Sequence, residues 1–279
     1  GRARICHDHW CHDRDMATRP TLPVISVTND VAVPIWGWAD PGEKVTVNIA
    51  GQTRTTTADA SGMWSLMLKK LSAVAPQTLT VSGKNTIVIQ DVLIGEVWLA
   101  SGQSNMQMSV NEANDAGREK AGAEFPQIRM FTVGRCPATT PQTNCEGKWV
   151  VCSPEAIPGH SAVGYYFGRD LQQARKVPVG LIESYWGGSP AEAWTSRETL
   201  EMRPRYQTEI LDAYPEAVKK HKEASLAYEN EKAEAAKAGQ KFEKWAPWQP
   251  WKPCELYQGM IAPLIPYAIK GVIWYQGES

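Results

Sequence analysis

A chain of 279 residues of which 43% are apolar can bury one large core or two modest ones, which excludes a disordered tail or a peptide-sized scaffold. Its 29 Lys and Arg against 30 Asp and Glu leave a formal charge of −1, so no global field favours nucleic acid or an anionic bilayer. No apolar run reaches the length of about eighteen residues that spans a membrane, and no signal-peptide stretch opens the chain, so a soluble protein with neither a membrane nor nucleic acid as partner is expected.

Residues 1–20 read as a leader or vector-derived segment without hydrophobic period. They hold Cys6, His7, His9, Cys11 and His12, a zinc-friendly composition whose spacing matches no structural zinc module, so no metal is expected. From 31 to 92 short β-rich runs follow one another: 31–39, 45–50, 53–58, 64–68, 78–81 and 86–92. Asp40-Pro41-Gly42, Ala60-Ser61-Gly62 and Ser82-Gly83-Lys84-Asn85 supply the turns between them. Regular strands with no helical period between them predict a small antiparallel β-sandwich over 21–93.

After Gly95 the pattern changes. Apolar strands are expected at 97–101, 128–133, 179–184 and 271–275, with helical stretches such as 161–176 between them, the alternation of an α/β domain whose parallel sheet is covered on both faces. Residues 205–244 interrupt it with a polar, helix-prone excursion. The mixed charge marks a solvated helical hairpin. Its exit through Trp245, Pro247, Trp248, Pro250 and Trp251 also suits a rigid aromatic wall for a sugar, in keeping with the 12 Trp of the chain. Among the six Cys, Cys145 and Cys152 flank a turn entering a short strand, a spacing that leaves a local bridge open.

Ligands of an open parallel sheet bind beyond the carboxyl ends of its strands. Three of those ends pair glycine with hydroxyl or amide side chains: Ser101-Gly102-Gln103-Ser104-Asn105-Met106, Ser184-Tyr185-Trp186-Gly187-Gly188-Ser189 and Tyr275-Gln276-Gly277-Glu278-Ser279. Ser104, at a strand-to-helix turn with backbone N–H groups nearby, is the best nucleophile; a polar turn or a helix cap is the alternative for it. Ser189, ahead of Pro190, fits an N-cap.

The blocks I-G-E-V-W-L-A-S-G-Q-S-N-M-Q-M (94–108), G-L-I-E-S-Y-W-G-G-S-P-A-E-A-W (180–194) and L-Y-Q-G-M-I-A-P-L-I-P-Y-A-I-K-G-V-I-W-Y-Q-G-E-S (256–279), with V-P-I-W-G-W-A-D-P-G-E-K-V-T-V (33–47), resemble the sialate O-acetylesterase family of SGNH hydrolases. The resemblance covers about residues 31–279. It implies a three-layer α/β/α, flavodoxin-like SGNH domain whose N-terminal part is 94–279, behind the β-sandwich. It makes Ser104 the nucleophile, its own N–H and that of Gly188 oxyanion donors, Gln276 a side-chain oxyanion donor, and Asn105 and Glu278 supports that fix the loops. Ala100 stands where the family often has Cys, and Gln107 where it often has Glu.

The family's base is a His with an Asp partner in a C-terminal motif that no segment here matches, so both are expected beyond residue 279, on a C-terminal remainder of the hydrolase that either is cut off by truncation or travels as a second chain. His160 falls where the family commonly has an aromatic and is expected to pack or cap, and His221 to lie solvated on the charged helix. The resemblance implies a serine esterase that removes O-acetyl groups from sialic acid or xylan-type glycans through an acyl-enzyme, needs no cofactor, and is secreted or periplasmic. A noncatalytic carbohydrate-binding protein and a broad short-chain carboxylesterase are the alternatives, the latter without a G-x-S-x-G elbow.

Overall fold

A computed structural model describes residues 4–5, 26–28, 31–72 and 75–278; Cys6, His7, His9, Cys11, His12 and Ser279 lie outside them. Strands β1 (Arg4–Ile5), β3 (Val33–Trp38) and β6 (Met63–Leu68) form a three-stranded antiparallel sheet. Strands β4 (Lys44–Ile49), β5 (Gln52–Thr57) and β7 (Gln77–Ser82) form a second antiparallel array that ends on the first part of β8 (Thr86–Gly102). The period-2 pattern explains how they meet. Val33 and Ile35, Trp64 and Leu68, Val45 and Val47, Leu79 and Val81 alternate with more exposed neighbours and share one buried cluster.

The runs expected at 86–92 and 97–101 are one strand of 17 residues. Between Ile89 and Val92, three steps of β8 face two of β7, a β-bulge with Asp91 in the left-handed region at φ 56°. The buried guanidinium of Arg129 donates to Asp91 Oδ2 at 3.0 Å. Past this bend β8 enters a second pairing pattern, where the short β2 (Ser26–Thr28) also joins it in parallel.

There β8 lies between β11 (Val179–Tyr185) and β12 (Gly271–Tyr275), both parallel to it. Strand β9 (Phe125–Thr132) runs parallel on the far side of β11, and β10 (Trp149–Cys152) closes that edge antiparallel to β9. All seven residues of β11 are buried, as a strand covered on both faces requires. On one face Val179 and Leu181 pack with Tyr165 of α3 (Ala162–Arg175); on the other Ile182 packs with Trp194, Leu256 and Met260. The result is an α/β fold on a mixed sheet.

The remaining helices are short, with one exception. After α1 (Ser104–Gln107), α2 (Ala116–Ala121), α4 (Arg197–Glu201) and α5 (Pro204–Tyr206), α6 (Tyr214–Lys237) runs for 24 residues with none buried. It forms the body of the polar excursion, and residues 240–253 return from it without regular structure. No helix among the described residues is long and apolar enough to cross a membrane. Cys145 and Cys152 form no disulfide. Burial pushes the Cys152 thiol up to about 12, and its Sγ points at the carbonyl of Ala123 instead.

Candidate active site

The chain leaves β8 for β9 on one side of β11 and reaches β12 on the other side of β8, so the strand order switches at β8. A crevice is expected at such a point, beyond the strand ends. Register brings the ends together: Gly102 of β8 pairs with both Tyr185 of β11 and Tyr275 of β12. Only glycine fits there, because a Cβ on Gly102 would stand 1.9 Å from the carbonyl oxygen of Tyr275, at a φ of 143°. The Gln103 N–H donates to that same carbonyl at 3.0 Å, and the Trp186 N–H donates to the Gly102 carbonyl at 3.1 Å. Three glycine-polar loops therefore leave from one level.

Ser104 is the first residue of α1, with Gln103 at the N-cap position. Its side chain is exposed, and neither its hydroxyl nor its N–H has a hydrogen-bond partner among the described residues. First-turn N–H groups have no intrahelical acceptor, so a hydroxyl and an unspent donor stand side by side. The hydroxyl does not cap the helix. Met106, two residues on, is buried against Ala100 and Tyr185, and the Ser161 hydroxyl donates to its carbonyl at 2.6 Å.

Gln107 ties the second loop to this helix. Its Oε1 accepts from the Gly187 N–H at 2.7 Å and from Arg135 Nη2 at 2.7 Å. A Cβ on Gly187 would lie 3.5 Å from the Ser104 Cβ, so this loop packs directly beside the hydroxyl. Gly188 follows at φ 74°, a left-handed turn residue whose N–H makes no hydrogen bond among the described residues. Its carbonyl accepts from Trp251 Nε1 at 2.8 Å. The Arg135 guanidinium lies 4.9 Å from the Trp186 ring, and Trp186 meets Trp251 edge-on at 5.3 Å.

The third loop is joined to the first by a side chain. Asn105 Nδ2 donates to Glu278 Oε1 at 2.8 Å, and Gln276 lies half-buried just past β12. Ser189 is buried and is not a cap: its hydroxyl donates to the Trp186 carbonyl at 2.6 Å and accepts from Trp194 Nε1 at 2.7 Å, closing the turn that carries Gly187 and Gly188.

A hydroxyl facing open space among unpartnered N–H donors can serve acyl transfer. No family model matches the chain. Over 267 residues, 88% of the chain, it is 32% identical to the sialate O-acetylesterase of Mus musculus. Against the Homo sapiens sialate O-acetylesterase the figure is 33% over 267 residues. The chain is a homologue of the sialate O-acetylesterases. These alignments take in 48% and 45% of the two proteins, so the chain spans about half the length of the curated relatives it matches. The crystal structure of a carbohydrate acetylesterase from Xanthomonas citri is similar at a TM-score of 0.72 and 32% identity, covering 93% of this chain and 52% of that one.

Two histidines of this acetylesterase homologue fall among the described residues, and neither is bonded to Ser104. His160 Nδ1 pairs with Glu183 Oε2 at 2.7 Å, with 14% of the His side chain and none of the Glu side chain exposed. Glu183 is a buried hub: it also accepts from the Ser161 N–H at 3.1 Å and Thr132 Oγ1 at 2.9 Å. Burial first, and the Glu183 charge second, push the Tyr185 phenol far up, keeping it a neutral neighbour. His221 sits half-buried on α6, its Nε2 3.4 Å from the Ser225 hydroxyl and its Nδ1 buried, rather than solvated.

The Glu183 hub escaped sequence reading because its partners lie on two other segments distant in the chain, the end of β9 and the start of α3. Ser161 caps α3, accepting from the Gly164 N–H at 3.0 Å, and also holds Met106, so the hub steadies the floor under Ser104. Glu183→Ala is expected to lower unfolding free energy by about 2–5 kcal/mol, because it leaves the buried Ser161 N–H and the largely buried His160 ring without their acceptor, at about 1–3 kcal/mol for each unsatisfied group. Urea unfolding checks this. A change below about 0.5 kcal/mol, the range of ordinary surface substitutions, would show that the carboxylate is not structural.

Proposed function

We propose that this chain carries the nucleophile and oxyanion side of a carbohydrate O-acetylesterase. The observation that carries the reading is Ser104 with unpartnered hydroxyl and N–H, and the Gly187-Gly188 turn held against it by Gln107. The Ser104 Oγ attacks the acetyl carbonyl carbon while a base takes its proton. The oxygen that becomes negative is received by the N–H groups of Ser104 and Gly188 and by the Gln276 amide. The bond to the sugar oxygen then breaks, the sugar oxygen takes the proton, and water releases acetate from the acyl-serine. This chemistry runs on a serine and its base and needs no cofactor.

In this reading 94–279 is the N-terminal part of a three-layer SGNH domain and 21–93 a β-sandwich packed ahead of it. Asn105 and Glu278 hold the first and third loops together. The base is a His with an Asp partner, from a polypeptide matching the part of the relatives that this chain does not cover. The protein acts on exported or extracellular acetylated glycans. The names of the sialate and carbohydrate acetylesterase relatives support the substrate class.

Release of acetate from acetylated sialic acid or xylo-oligosaccharides, blocked by a serine-directed phosphonate that labels Ser104, tests the reading. Labelling elsewhere would overturn it. Gln276→Ala is expected to lower kcat by roughly 10²- to 10³-fold, as loss of one oxyanion donor does, with KM little changed. A rise in KM at constant kcat would instead make Gln276 a substrate-binding group.

A further inference from the structure

The return from α6 is anchored at both ends and bare in the middle. At its start Phe242 meets Tyr228 of α6 edge-on at 5.2 Å, and Lys244 pairs with Glu231. At its end Trp251 donates to the Gly188 carbonyl, and the Cys254 N–H donates to the Glu192 carbonyl at 2.9 Å. Between these anchors Trp245 is 95% and Trp248 74% exposed. Pro247, Pro250 and Pro253 fix φ along the stretch, so the backbone that carries the indoles has little freedom. Large exposed aromatics held rigid in this way mark a binding surface.

Trp248 has a definite place. Its Cζ2 lies 3.6 Å from where a Gly188 Cβ would be, and Gly187, the preceding residue, packs against Ser104. Trp248 and Ser104 thus flank adjacent residues of one turn, whose Cα atoms stand about 3.8 Å apart. The Gly188 N–H lies on the same turn.

We propose that Trp248 is a sugar-stacking platform: its exposed indole receives the C–H face of a pyranose ring of the sugar whose acetyl ester is bound at Ser104. The inference rests on the esterase reading and adds the subsite that selects the sugar. A pyranose presents apolar C–H groups on one face and hydroxyls around its rim, which matches a flat indole beside a polar loop. Trp251, clamped to Gly188 and Trp186, holds the platform in place.

The test separates sugar binding from ester chemistry. Titration of the 279-residue chain, carrying Ser104→Ala to prevent turnover, with acetylated xylo-oligosaccharide is expected to show binding that Trp248→Ala weakens about tenfold and Trp248→Phe largely restores. In the protein extended by the matching second half, Trp248→Ala should lower kcat/KM for the same oligosaccharide by about tenfold, while methyl acetate, which has no ring to stack, changes less than about twofold.

Unchanged oligosaccharide affinity in Trp248→Ala would overturn the platform and leave the esterase reading standing. Equal loss on methyl acetate would overturn it too, by making Trp248 part of the reaction site's shape. If the extended protein turned over no ester at all, the esterase reading would fail, and the titration alone would still decide the subsite.

Discussion

Ser104→Ala is expected to abolish esterase turnover, with a fall of at least about 10⁴-fold, because in the proposed mechanism Ser104 forms the acyl-enzyme and only binding and oxyanion donors remain without it. The fold should not notice. Ser104 is exposed, its hydroxyl has no partner among the described residues, and Ala is a better helix former at the start of α1. Thermal unfolding should therefore shift by no more than a degree or two. Turnover above about 1% of the parent rate, measured on an acetyl ester after active-site titration, would remove Ser104 from the mechanism. An unfolding midpoint many degrees lower would show that the hydroxyl has a structural bond.

Residues 1–279 on their own are expected to hydrolyse acetyl esters about 10²- to 10⁴-fold more slowly than the protein extended by the second half of its relatives, the usual value of a positioned general base. A serine hydroxyl is a weak nucleophile until a base stands within hydrogen-bond reach. His160 is turned to Glu183 and His221 lies on α6 next to Ser225, so neither serves Ser104. The surface around β12 supports an added partner: Val272, Trp274 and Tyr275 are 50%, 47% and 43% exposed on a strand paired only with β8 among the described residues. Such an edge invites cover. Ser104-dependent turnover by 1–279 alone at the rate of the extended protein would place the base within these residues and refute the expectation.

Much of this was legible from local pattern. Alternation gave β3, β4 and β7 to within a residue or two, and glycine beside polar residues marked three strand ends that register brings to one level, with Gly102 flanked by Tyr185 and Tyr275. What pattern missed depends on distant contacts. Asp91 gives no sign that two expected strands are one, since the bend depends on Arg129 arriving from β9. Gln107 was visible only as a departure from a frequent Glu, yet as an amide its Oε1 holds both Gly187 and Arg135. His160 was expected to pack, but the buried carboxylate it packs against lies 23 residues away. Ser189 fitted a cap by its neighbour Pro190, and burial with Trp194 decided otherwise.

Strand β8 belongs to both halves of the molecule. Its first part is held by β7 and its last part, up to Gly102, by β11 and β12. The two regions are thus not beads on a string: no flexible joint separates them among the described residues of 86–102, and a tug on the N-terminal sheet is transmitted along a covalent, hydrogen-bonded rod to the turn that presents Ser104. Loss of order in the antiparallel array would loosen the site 's anchorage without touching any residue in it. In evolutionary exchange the same continuity makes a cut near 93–94 a poor recombination point, because either fragment would inherit half a strand and an unsatisfied edge.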